Sequence, residues 1–168
     1  MDPYNASRAP LDRRQLLFYR VIGPLASTDP NLHACAHLYA SDRNSLFIVA
    51  NNLDVGDKFT HMTSLSHTVV FHTGWEEFMM TRHTPENADR DRNGEDGNGD
   101  GDDRIWFCKE DWTTRAAVGR GIHQSRLIGP GGRHVASSWQ EGLLRVGKDS
   151  AEQEKALRKQ SHKGVPKL

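Results

Sequence analysis

The stretch at residues 29–52, DPNLHACAHLYASDRNSLFIVANN, limits the possible folds more than any other part of the chain. Thr28-Asp29-Pro30 is a helix start. Asp29 can cap the first free amides, and Pro30 sits where its missing N–H costs nothing. Wound at about 100° per residue, residues 31–50 read as one long helix. His33, His37, Ser41 and Asn44 fall on one narrow polar stripe, read as a solvated face. Cys35, Leu38, Tyr39, Leu46 and Val49 fall opposite, with Asp42 near the middle of that apolar side. An ionised carboxylate is costly to bury without partners. A helix made only for packing would carry Leu or Ala there. Asp42 is therefore a candidate buried acid of the kind that gathers at functional sites. The plain alternative is an Asp at a solvated edge or capping a neighbouring amide.

The 168 residues suit one domain with its own core. Lys+Arg and Asp+Glu both number 22, so no net field favours nucleic acid or an anionic membrane. The opening MDPYNASRAPLDRR has no apolar run, so no leader peptide is expected there. No later stretch is long and apolar enough for a transmembrane helix. Two cysteines, Cys35 and Cys108, make no disulfide framework and read as reduced thiols of an intracellular protein.

In chain order, residues 1–25 form a lead-in segment whose RRQLLFYRVIG is apolar enough to pack. Residues 58–72, KFTHMTSLSHTVVFH, read as a long strand. Strict alternation puts Phe59, Leu65, Val69 and Phe71 on one face, and Met62, Ser64, Ser66 and Val70 on the other. Residues 75–82 make a short strand or helical turn. Residues 84–104, TPENADRDRNGEDGNGDGDDR, are expected to be a disordered acidic insert. Apolar character resumes at 105–110. Residues 116–128 read as a strand, Gly129-Pro130-Gly131-Gly132 as a hairpin turn, and 133–146 as the returning strand. Residues 147–168 are a basic tail. One helix followed by antiparallel strands implies a sheet curled around that helix.

Most motif searches end in the plain reading. Asp96, Asn98, Asp100 and Gly101 open like a calcium loop, but its twelfth position is Phe107, where a bidentate Glu is required. His33 and His37 are spaced as metal ligands can be, yet lack the Glu and third ligand of a zinc site. No metal or cofactor is expected. The polar residues left on apolar elements are Asp42, Ser64 and Gln140, and their spacing does not show that they meet.

Four blocks carry a resemblance: Tyr39-Ala40-Ser41-Asp42; Ser64-Leu65-Ser66-His67-Thr68 with Phe71-His72; Gly119-Arg120-Gly121; and Ala136-Ser137-Ser138-Trp139-Gln140-Glu141-Gly142 with Arg145. In this order the chain resembles the C-terminal half of type II acyl-CoA thioesterases, from about residue 13 to residue 146. The resemblance implies an α+β hot-dog fold, an antiparallel sheet wrapped around one long helix, at 26–146 and broken by the acidic insert. It implies hydrolysis of fatty acyl-CoA to free fatty acid and CoA by water activated by Asp42, Ser64 and Gln140, with CoA as part of the substrate. Family chains carry two hot-dog copies and this one matches only the second. A homodimer, or pairing with another hot-dog copy, is therefore expected.

The alternative reading is a catalytically weak or inactive single module that binds acyl-CoA or a partner half. A hot-dog hydratase would use an Asp and His pattern that Asp57 and His61 do not reproduce. The last three residues, Pro166-Lys167-Leu168, are similar to a peroxisomal address, with the cytoplasm as the other expectation.

Overall fold

A computed structural model describes residues 3–22, 25–56, 58–82 and 104–147. Residues 83–103, with most of the acidic insert and its calcium-like spacing, and the tail from 148 onward fall outside the described residues.

Among the described residues the sheet has five strands, all antiparallel: β1 (Gln15–Tyr19), β2 (Phe59–Phe71), β3 (Phe107–Ala117), β4 (Arg120–Ile128) and β5 (His134–Val146). Their spatial order is β1-β3-β4-β5-β2. A one-turn helix α1 (Pro3–Ala6) precedes β1, and helices α2 (Pro30–Asp42) and α3 (Phe47–Asn52) connect β1 to β2. The lead-in thus contributes the edge strand β1, so the sheet begins before residue 26. The reading of 116–128 as one strand is corrected. Val118 and Gly119 take φ values of 52° and 71° and turn the chain between β3 and β4. A β-branched residue at positive φ runs against preference, which hid this turn. The Gly129-Pro130-Gly131-Gly132 turn joins β4 to β5 as expected, with Gly131 and Gly132 at positive φ.

The long helix is present in two pieces. Asp29 caps α2 through the amides of Asn31 and Leu32, as its sequence implies. After Asp42 the chain turns out of the helix: Arg43 is extended and Asn44 adopts φ 61°. Asn tolerates the left-handed region better than most residues. The helix then restarts as α3.

The expected orientation of α2 is reversed. His33, His37 and Ser41 are its buried residues, whereas Leu32, Leu38 and Tyr39 are exposed. The histidines can be buried because distant segments satisfy both ring nitrogens. His37 donates from Nε2 to the Phe78 carbonyl at 2.7 Å and accepts at Nδ1 from the Tyr19 hydroxyl at 2.7 Å. His33 donates to the Ala26 carbonyl and accepts the Met80 amide, both at 3.0 Å. The His37 ring meets Phe107 edge-on at 4.6 Å between centroids, with Phe71 and Phe78 further out. Around it lies one core cluster of Phe78, Met80, Phe107, Leu127, Val135 and Ala136. A second cluster gathers Ile48, Val49 and Ala50 of α3 against Leu144.

Burial pushes the His37 imidazole down from 6.5 to about 4. The unfolded chain therefore binds more protons between these values, and stability falls as pH drops through that window. This depression is equivalent to about 3 kcal/mol of stability, fully present above about pH 6.5. Urea unfolding should thus show a steeper loss between about pH 7.5 and about pH 4.5 in the native chain than in His37→Leu. The variant starts less stable at neutral pH. Parallel pH dependences in the two chains would exclude His37 as the group responsible.

Candidate active site

The site assembles where the helix breaks. Asp42 is the last residue of α2, Ser64 lies on β2 and Gln140 on β5. Gln140 is 1% exposed and points inward from the sheet. Its Nε2 donates to Asp42 Oδ1 at 2.6 Å and to Ser64 Oγ at 2.7 Å. Its Oε1 accepts from the hydroxyl of Ser45, in the turn just after Asp42. One carboxamide therefore ties together three separate segments, with both N–H groups and the carbonyl engaged.

Ser64 reaches this position through a β-bulge. The β2–β5 register runs regularly from His61↔Arg145 to Ser64↔Gly142, then shifts so that Ser66 opposes Glu141 and His67 opposes Gln140. The shift reverses the alternation. Met62 and Ser64 before it, and His67, Val69 and Phe71 after it, all face the helix side. The expectation that Ser64 lies opposite Val69 and Phe71 is corrected, because period-two counting cannot see an inserted residue.

Asp42 is also corrected. Its residue is exposed, not buried, because α2 turns its polar stripe inward and its end outward. One carboxylate oxygen is held by Gln140, and the other has no bond to the described residues. Ser64 is exposed and accepts from Gln140, which leaves its own O–H free to donate. An anchored acid and hydroxyl thus share one solvent-facing spot, fixed from beneath by a buried amide.

Two neighbours were not singled out from the sequence. The single O–H of Ser45 is shared between two acceptors, the Asp42 carbonyl at 2.7 Å and Gln140 Oε1. The signal for it was the Asn44-Ser45 pair, a turn-forming dipeptide inside an otherwise helical pattern. His67 Nε2 lies 3.1 Å from Ser41 Oγ. The Ser41 hydroxyl donates to Leu38 O at 2.8 Å, so His67 is the donor in the second bond. Burial pushes the His67 imidazole below its ordinary value, against the opposing pull of Asp42. Among the described residues no cluster of three or more His, Cys, Asp or Glu could hold a metal ion. His33 and His37, spaced like ligands, spend their nitrogens on the chain itself.

The wall of the site is a glycine shelf. Gly121 and Gly142 face each other across β4 and β5. A Cβ on Gly121 would overlap Val49, and one on Gly142 would overlap Leu46. Their bareness lets the break and α3 lie flat on the sheet beside Gln140.

No protein-family model matches the chain, and no curated protein matches it. Solved structures do. The acyl-CoA thioesterase II TesB2 of Mycobacterium marinum superposes with a TM-score of 0.57 at 24% identity, over 81% of this chain and 43% of that one. The tesB protein of Mycobacterium avium subs paratuberculosis gives a TM-score of 0.50 at 16% identity, over 78% and 41%. A hot-dog-like protein of Thermanaerovibrio acidaminovorans gives a TM-score of 0.50 at 13% identity, over 89% and 92%. The chain has a hot-dog fold: an antiparallel sheet folded over a central helix, here an interrupted one. It spans less than half the length of the two TesB structures it matches.

Gly142→Ala should force Leu46 off the sheet and pull Ser45 from Gln140. We expect a loss of about 1–3 kcal/mol in urea unfolding, as for other overpacked sites. Unchanged stability would show that the shelf has slack.

Proposed function

We propose that the chain hydrolyses fatty acyl-CoA thioesters to free fatty acid and CoA, with Asp42, Ser64 and Gln140 acting on the attacking water. The observation that carries this reading is the fork of Gln140, which holds a carboxylate and a hydroxyl within reach of one solvent molecule. Water is a weak nucleophile at neutral pH. A carboxylate in hydrogen-bond reach can take its proton as attack proceeds, an effect of ~10²–10⁴-fold. Asp42 offers the oxygen that Gln140 leaves free. The Ser64 hydroxyl donates to the water, turning its remaining lone pair toward the thioester carbon. Gln140 fixes both groups so that little ordering is left for the transition state. A thioester carbonyl is reactive enough that no covalent enzyme intermediate is called for. CoA enters as part of the substrate, and the reading assigns no cofactor.

The chain's length bears on its partners. A hot-dog of less than half the TesB length leaves β2 as a thirteen-residue edge strand with no second neighbour among the described residues. Leu65 and Val70 on it, and Leu32, Leu38 and Tyr39 on α2, are exposed. Exposed edges and apolar faces of this kind are normally covered. We propose that a second hot-dog copy covers them, in a homodimer or with a separate half. Among the described residues no helix is long and apolar enough to cross a membrane. The same length supports a second reading, a single module that binds acyl-CoA without turning it over.

Asp42→Asn should lower thioester hydrolysis by about 10²-fold or more while circular dichroism stays unchanged. Normal thiol release by this variant would remove Asp42 from the reaction. Single-turnover assay of the native chain separates the two readings: binding of acyl-CoA without acid release would establish the inactive module. Sedimentation should report two chains per particle, and a stable monomer with full activity would end the pairing proposal.

A further inference from the structure

Behind the site lies a buried charged chain that the reaction does not use. Lys109 is 2% exposed, Asp111 3% and His123 0%. All three point to the inner side of β3 and β4. Lys109 Nζ lies 3.6 Å from Asp111 Oδ2, and His123 Nε2 lies 2.9 Å from Asp111 Oδ1. His123 is also the register partner of Gln140 across β4 and β5. Ions this deep are costly to bury, and such an arrangement is weak evidence for stability by itself.

What Lys109 holds is informative. Its Nζ donates to the carbonyl of Ala40 at 3.2 Å. Ala40 is two residues before Asp42, in the last turn of α2. A continuing helix would have bonded that carbonyl to the amide of Asn44. The break at Arg43 and Asn44 turns that amide away. Three neighbouring carbonyls take local donors: Leu38 the Ser41 hydroxyl, Tyr39 the Arg43 amide, and Asp42 the Ser45 amide. Ala40 takes its donor from the sheet. A cation there also meets the negative end of the helix dipole.

We propose that Lys109 is a positioning residue: it replaces the amide lost at the helix break, and so fixes the turn that presents Asp42. Asp111 balances its charge, and His123 anchors Asp111 beside Gln140. The catalytic consequence rests on the hydrolase reading above, whereas the structural consequence does not.

The test follows site-resolved hydrogen exchange at the Arg43 and Ser45 amides, with the Leu144 amide, bonded to the Gly119 carbonyl, as control. In Lys109→Met, exchange at Arg43 and Ser45 should speed by about tenfold or more, while Leu144 stays within about twofold. Hydrolysis should fall by about tenfold in kcat, and Lys109→Met/Asp42→Asn should be no slower than Asp42→Asn alone. Unchanged exchange at Arg43 and Ser45 in the folded variant overturns the proposal whatever the activity. Equal acceleration at all three amides also overturns it, since Lys109 would then support the whole fold. If the native chain hydrolyses no thioester, the hydrolase reading fails and the exchange result alone decides the role of Lys109. Should Lys109→Met not fold, Lys109→Met/Asp111→Asn removes both charges together and is expected to show the same local acceleration. If that chain fails to fold as well, Lys109 is architectural and the proposal falls.

Discussion

The interruption of the central helix after Asp42 is the constraint on which the site depends. A continuous helix would satisfy its own carbonyls and carry Ser45 around the axis, away from the sheet. The left-handed Asn44 stops the ladder and drops Ser45 onto Gln140. It also leaves carbonyls in the last turn of α2 that must be bonded by something else. The Arg43 amide, Ser45 and Lys109 take three of those places, at Tyr39, Asp42 and Ala40. The polar residues around the break are thus the consequence of bending a helix inside a sheet. The acid at its tip gains a fixed position and access to solvent together.

The inner face of the sheet is unusually polar for a core. Thr113, His123, Ser125, Ser138 and Gln140 are all buried there, beside Lys109 and Asp111. Their bonds run across strands and up to the helices: Ser125 to Ser138 at 2.6 Å, Asn52 to Thr113 at 3.3 Å, and Gln140 to Asp42 and Ser64. Each such bond contributes only about 1 kcal/mol net, but leaving one partner unmet costs more. Such a face tolerates little sliding of helix against sheet. The apolar clusters at either end supply most of the driving force for folding. The polar middle sets the register that the site needs.

The division of labour also explains where residues were legible. The strands β2 and β5 and the turn at Gly129-Pro130-Gly131-Gly132 follow from alternation and from glycine and proline. The β3–β4 turn did not, since Val118 is a poor residue for a positive φ. Asp42, Ser64 and Gln140 stood out as polar residues on apolar elements, and they do meet. Ser45, His67 and Lys109 did not stand out, because a serine in a turn, a histidine in a strand and a lysine beside acids are ordinary in sequence.

By itself, the chain determined some local conformations: the capped start of α2, the strands β2 and β5, and the glycine turn. Those follow from each residue's own backbone preferences and from its nearest neighbours. Tertiary structure decided which way α2 faces, where β2 carries its bulge, and that Asp42 meets solvent. Each of these turns on a partner dozens of residues away, such as the Phe78 carbonyl for His37 or the Gln140 amide for Asp42. Helical and strand periodicity rank side chains by polarity alone. A buried polar group is stable only where the rest of the fold brings its partner, and that geometry has no trace in the spacing of residues along one element.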